Sequence, residues 1–211
     1  MSTVIARHSW LTNPWSKPLL WGVALMPLAW LIGRASAGAY VNPEEALVRG
    51  TGDWALRMLL LTLAVTPARV SLHLPQLLRF RRSLGQLSFV YACVHLSLYL
   101  WLIVGFESGK LVHDLARHPY VFAGMATFVC MLPLGLTSSN AAIRALGAAR
   151  WQVLHRLVYV VAALAMLHFF WVRASKNQVI EPMLYAAVLG GLLAWRLWYW
   201  NRNAPAGGCG H

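Results

Sequence analysis

At 211 residues, with a formal net charge of +12, the chain is 59% apolar and only 11% charged, where soluble proteins carry charge on about a quarter of their residues. The apolar residues come in long blocks parted by short charged loops, which excludes an ordinary soluble core. The basic residues flank these blocks instead of lining one helix face, which excludes a nucleic-acid surface and makes the lipid bilayer the first partner.

Six apolar segments approach the roughly 20 residues that cross a hydrocarbon core. They run over Pro18–Gly33, Trp54–Leu72, Gly85–Phe106, Pro119–Leu136, Trp151–Val172 and Pro182–Trp200. Runs of this length predict helices; barrel strands would alternate in short segments. The expected fold is all-α, a polytopic membrane helix bundle of six transmembrane helices over residues 18–200. Residues 1–17 are expected as a cytoplasmic N-terminal segment and 201–211 as a flexible cytoplasmic tail. No small-residue cleavage site follows the first apolar run, so it reads as a retained helix and not a signal peptide. The second segment is the weakest, with Arg57 near its start and Pro67 near its end. The first is short unless it continues past Arg34. Pro27, Pro67 and Pro133 kink helices or mark their ends.

With the N-terminus inside, the inner loops carry eleven basic residues and no acidic one. The outer loops carry six basic residues and all six acids: Glu44, Glu45, Asp53, Glu107, Asp114 and Glu181. This asymmetry predicts a multi-pass protein of a bacterial inner membrane with both termini in the cytoplasm.

Cysteine offers no metal or covalent haem motif: Cys93 and Cys130 fall in apolar segments and Cys209 in a Gly-rich tail. Of the eight histidines, His8, His73, His113, His118 and His211 lie in termini or loops. His95, His155 and His168 lie in apolar spans, where an ionisable side chain is costly and points to function. A lone histidine there also serves as a hydrogen-bonding tie between helices. Three of them, with no carboxylate inside any span, favour axial ligation of haem over a proton relay. His155 and His168 are thirteen residues apart, roughly 20 Å of helical rise and about 140° around the axis, so one iron cannot take both. His95 matches the depth of His168 better than that of His155. Ala92 and Ala165 each sit three residues before their histidine on the same face, leaving room for a porphyrin or merely packing helices. Arg57, Arg156 and Arg173 are candidate partners for haem propionates or anchors at the interface.

The stretch Arg81-Arg82-Ser83-Leu84-Gly85, followed after nine residues by His95, and the run LHRLVYVVAALAMLHFF with His155 and His168 resemble the ferric reductase-like transmembrane family. That family includes the membrane parts of ferric reductases and NADPH oxidases. More closely, GDWALRMLLLTLAVTPAR, RRSLGQLSFVYACVHLSLY and RWQVLHRLVYVVAALAMLHFFW are similar to the haem-binding membrane subunits of bacterial methionine sulfoxide reductase systems. The resemblance implies haem b, FMN, electrons drawn from respiratory quinones, and delivery to a periplasmic molybdopterin-containing methionine sulfoxide reductase. It also implies that the chain itself holds no catalytic residue for the substrate. The broader family often has a second inner histidine in the third helix; Arg81 stands at that position here. The resemblance therefore supports His95 and His168 as iron ligands and leaves His155 open between a second redox site, haem or flavin, and a contact with the headgroup region. No Gly-rich fingerprint places FMN. No FAD or NADPH domain follows the last span, so a separate donor is expected. Two other readings stay open: a cytochrome b-type quinol-linked carrier for another acceptor, and a non-redox small transporter or assembly factor.

Overall fold

The computed structural model describes residues 13–203, and all regular structure among them is helical. Arg7, His8, Cys209 and His211 lie outside the described residues, as does most of the expected tail.

Helix α1 spans Ser16–Ser36, runs through Pro27 and continues past Arg34, whose guanidinium lies over the rings of Trp30 and Tyr40. Its exposed Leu19, Val23, Met26 and Trp30 suit a helix that faces lipid on most sides.

Helix α2 spans Pro43–Ser71 and begins well before the expected Trp54. The reason is local. The Asn42 side chain accepts the Glu45 N–H at 3.3 Å, Pro43 fits the first turn, and Glu44 and Glu45 face the positive end of the helix dipole. Glu44, Glu45, Arg49 and Asp53 thus ride on a helix and not in a loop, and Pro67 sits inside it.

A short 3-10 turn, Pro75–Leu77, leads into α3, Leu78–Leu98, which continues as a π-helical segment, Tyr99–Val104. Gly105 and Phe106 then take positive φ and turn the chain. The expected loop that follows holds a strongly amphipathic helix, α4, Ser108–Arg117, carrying His113. Its Asp114 accepts a hydrogen bond from the Tyr99 hydroxyl at 2.9 Å.

Helix α5 spans Pro119–Leu136, as expected. Two short helices follow: α6, Asn140–Leu146, capped by the Ser139 hydroxyl, and α7, Ala148–His155. Helix α8 spans Val158–Ala174 and α9 Ile180–Asn203. The expected fifth span is therefore not one regular helix. At Arg156 and Leu157 the ladder tightens, with the N–H groups of Leu157 and Tyr159 bonded three residues back, so a straight-helix rise does not measure the distance from His155 to His168. The last helix also takes in residues 201–203, expected in the tail.

Five stretches are long and apolar enough to cross a membrane: α1, α3 with its flanking segments, α5, α7 with α8, and α9. Helix α2, which carries Arg49, Asp53, Arg57 and Arg69, is not among them. It lies at the centre of the bundle and belongs to both buried clusters. One cluster packs Leu56, Leu59, Leu60 and Leu63 against Met131 of α5, Val161 and Phe169 of α8 and Leu189 of α9. The other packs Met58 and Val65 against Ala24 of α1 and Leu84, Leu87 and Tyr91 of α3. A helix enclosed by other helices needs less apolar surface than one facing lipid. Its buried Thr51 and Thr62 hydroxyls donate to carbonyls one turn back, at 2.8 and 2.7 Å.

Candidate functional site

Helices α2, α3, α5 and α8 enclose a mainly apolar cavity of about 440 Å³, lined by Leu56, Leu59, Phe128, Met131 and Phe169 among others. Ala92 and Ala165 are part of its wall, so the small residues three before each histidine do leave space there.

His95 enters from α3 and His168 from α8. Their ring centres are 6.2 Å apart and their planes are inclined at 74°. His95 Nδ1–H donates to the Val48 carbonyl at 2.8 Å, and His168 Nδ1–H to the Tyr120 carbonyl at 2.6 Å. A carbonyl only accepts, so each neutral imidazole holds its proton on Nδ1 and keeps the Nε2 lone pair free for a metal. Two imidazoles that each bonded one metal at about 2 Å, with roughly 1 Å more from nitrogen to ring centre, would have ring centres up to about 6 Å apart. Ring centres at this separation suit two imidazoles that would hold one haem iron between them. Among the described residues no set of three or more His, Cys, Asp or Glu is placed to hold a free metal ion.

Each ring also lies against a glycine. A Cβ on Gly52 of α2 would meet His95 Cε1 and Nδ1 at 3.0 Å, and one on Gly124 of α5 would meet the same atoms of His168 at 2.8 Å. Neither glycine was singled out from the sequence. Gly124 offers one signal, an isolated glycine inside a helical apolar run with no turn to form, which marks close approach of a neighbour, whereas Gly52, between Thr51 and Asp53 and two residues from Gly50, offers none. The two accepting carbonyls carry no sequence signal at all.

One end of the cavity is rimmed by Asn42, Glu45, Arg49, Asp53, Arg173 and Lys176. Arg173, only 8% exposed, donates to Asp53 at 2.8 Å, lies 3.2 Å from Glu181 and bonds Gln178. Glu45 pairs with Lys176 and with Arg49. The Lys176 hydrogen bond, reinforced by Arg49, holds the Glu45 carboxyl below the ordinary carboxylate range. Of the three candidate propionate partners, Arg173 alone reaches the cavity wall, and its charge is shared with two carboxylates. Arg57 is spent on the Tyr185 hydroxyl at 2.8 Å and the Trp54 ring, and Arg156 is exposed in the break between α7 and α8.

The structure does not bring His155 into this cavity. Its ring stacks on Trp151 with centres 3.8 Å apart, and Nδ1 bonds the Trp151 carbonyl at 3.1 Å. Its Nε2 is buried without a hydrogen-bond partner. The other side-chain atoms in that condition among the described residues belong to Thr66, Arg69, Gln76 and Arg196.

Residues 51–166 match the family model described as ferric reductase like transmembrane component. A protein of Polaromonas naphthalenivorans named protein-methionine-sulfoxide reductase heme-binding subunit MsrQ is 49% identical, over 93% of this chain and 90% of its own length. Proteins of the same name from Bordetella parapertussis and Caulobacter vibrioides are 42% and 38% identical, over 90% and 94% of this chain and 92% and 94% of theirs. No solved structure matches the chain significantly. With a family model over more than half its length and such relatives along nearly all of it, this chain belongs to the MsrQ family of ferric reductase-like transmembrane proteins.

Proposed function

We propose that the chain is the membrane electron-transfer subunit of a methionine sulfoxide reductase system, with one haem b held between His95 and His168. The observation that carries this reading is the pair of imidazoles with open Nε2 atoms, their ring centres 6.2 Å apart in an apolar cavity. Haem supplies a one-electron iron couple when bound. The chain's own part is to fix both imidazoles in one tautomer, to exclude water with apolar walls, and to end the cavity at a charged rim. An apolar surround and fixed axial ligands suit electron transfer better than oxygen chemistry, which needs an open iron position.

In this reading α2 is the sixth span and both termini are cytoplasmic in a bacterial inner membrane. Respiratory quinones donate the electrons, FMN takes part, and a periplasmic molybdopterin-containing methionine sulfoxide reductase accepts them. The names of the relatives support the haem and the reductase system, the basic bias of the inner loops supports the orientation, and the quinone, FMN and molybdopterin partner rest on the resemblance of the sequence motifs alone. The buried, unpartnered Nε2 of His155 supports a second redox group on the inner side of the His95–His168 pair.

The test is the optical spectrum of the purified chain. A bis-imidazole haem gives an intense Soret band and sharp bands on reduction. His95→Ala and His168→Ala should each remove most of the low-spin haem, and His155→Ala should retain it while slowing reduction by quinol. Full haem content with unchanged spectra in both of the first two variants would sink the assignment. A redox-active haem that never reduces the periplasmic enzyme would instead favour a quinol-linked carrier for another acceptor.

A further inference from the structure

The same arrangement of three groups occurs twice around the cavity. On α2, Val48 and Gly52 are one turn apart; on α5, so are Tyr120 and Gly124. In each case the first residue's carbonyl accepts the imidazole N–H, and the glycine one turn later lies under the ring. An α-helical carbonyl already accepts from the N–H four residues on, here the glycine's own, and has a second lone pair to offer. A side chain at the glycine would cover that lone pair, so the bare backbone is what lets the imidazole reach it.

An axial ligand needs its nitrogen at the iron, a condition met at any rotation of the ring about the metal–nitrogen bond. The rotation is set by what the other ring nitrogen bonds and by what the ring face touches. Here the carbonyl fixes the first and the glycine the second, and the two fixed planes are inclined at 74°. We infer that Gly52 and Gly124 are positioning residues that hold the two axial imidazoles near-perpendicular, and so set the electronic character of the haem. The inference rests on the haem assignment to His95 and His168.

Imidazole orientation has a direct magnetic consequence. Each ring's π orbital raises one of a pair of iron d orbitals. Parallel rings act on the same orbital and split the pair; perpendicular rings act on one each and leave the pair nearly equal in energy. Ferric haem of the second kind gives a single strongly shifted low-field line in electron paramagnetic resonance, whereas the first kind gives a three-line rhombic spectrum.

The experiment uses the full chain purified with its haem, comparing wild type, Gly52→Ala, Gly124→Ala and the control Gly190→Ala, whose added Cβ meets nothing within 4 Å. Haem-to-protein ratio and the paramagnetic resonance spectrum are read together. The wild type and the control should show the low-field line. Gly124→Ala, with its 2.8 Å contact, should turn the His168 ring and convert the line to a rhombic spectrum, or lower the haem ratio several-fold. Gly52→Ala, at 3.0 Å, should shift the line by less, and it stands as the test if Gly124→Ala does not accumulate. A rhombic wild-type spectrum, an unmoved line in the glycine variants, or the same change in the control would each overturn the inference. The haem reading fails separately, through unchanged haem content in His95→Ala and His168→Ala.

Discussion

Arg173 shows what a single charge requires inside this bundle. Buried at 8% exposure, it is held by Asp53, Glu181 and Gln178, and its guanidinium lies 5.2 Å from the Phe169 ring centre. Removing one partner of such a pair strands the other charge, at a cost of roughly 3 kcal/mol or more. Arg173→Met should therefore lower the thermal unfolding temperature in detergent clearly, and adding Asp53→Asn should recover most of the loss. A single variant that melts with the wild type would show that the pair contributes nothing. The sequence marked Arg173 as a propionate partner or an interface anchor, but not as an internal ion pair. Its partner lies 120 residues away on α2, and no local pattern encodes such a distance. His95 and His168 were legible because an imidazole in a long apolar run is rare enough to stand out by itself. Gly52 and Gly124 were not, because what matters about them is the ring that lies against them.

Among the elements, apolar run length located α1, α5 and α9 to within a few residues. It failed where a helix continues through polar sequence. The first turns of α2 and all of α4 are such places, although the Asn42-Pro43-Glu44-Glu45 start was there to be read. The break at Arg156–Leu157 has no proline or glycine to announce it. The early start of α2 matters because it carries Glu45 to Lys176, in the turn after α8, and so ties two helices across the cavity rim. Glu45 has a lowered pKa in the folded chain, chiefly through Lys176. What the pair adds to stability is thus present above the ordinary carboxyl value of 4.5 and lost as pH falls through the lowered one. Lys176→Met should move the Glu45 carboxyl titration upward in side-chain carbon NMR; an unmoved midpoint would show that Lys176 does not hold it.

At the scale of the whole molecule, composition and loop charge gave the membrane class and the all-α architecture, because burying backbone in lipid leaves little else. Which helices would touch was not legible, since lipid-facing and helix-facing apolar residues look alike in sequence. The contacts divide the bundle in a definite way: α3 packs chiefly on α2, and α8 chiefly on α5. Each of these pairs owns one histidine, one accepting carbonyl and one glycine, so the cavity is the seam between two half-sites. The chain crosses from one to the other only once, through Gly105, Phe106 and the exposed residues at the start of α4. The protein should accordingly survive being cut there. Fragments 1–107 and 108–211, expressed together, should reassemble around the prosthetic group and restore the low-spin absorbance that neither gives alone. Two stable fragments that fail to recombine would mean that the connection itself, and not the haem proposed between His95 and His168, holds the halves in register.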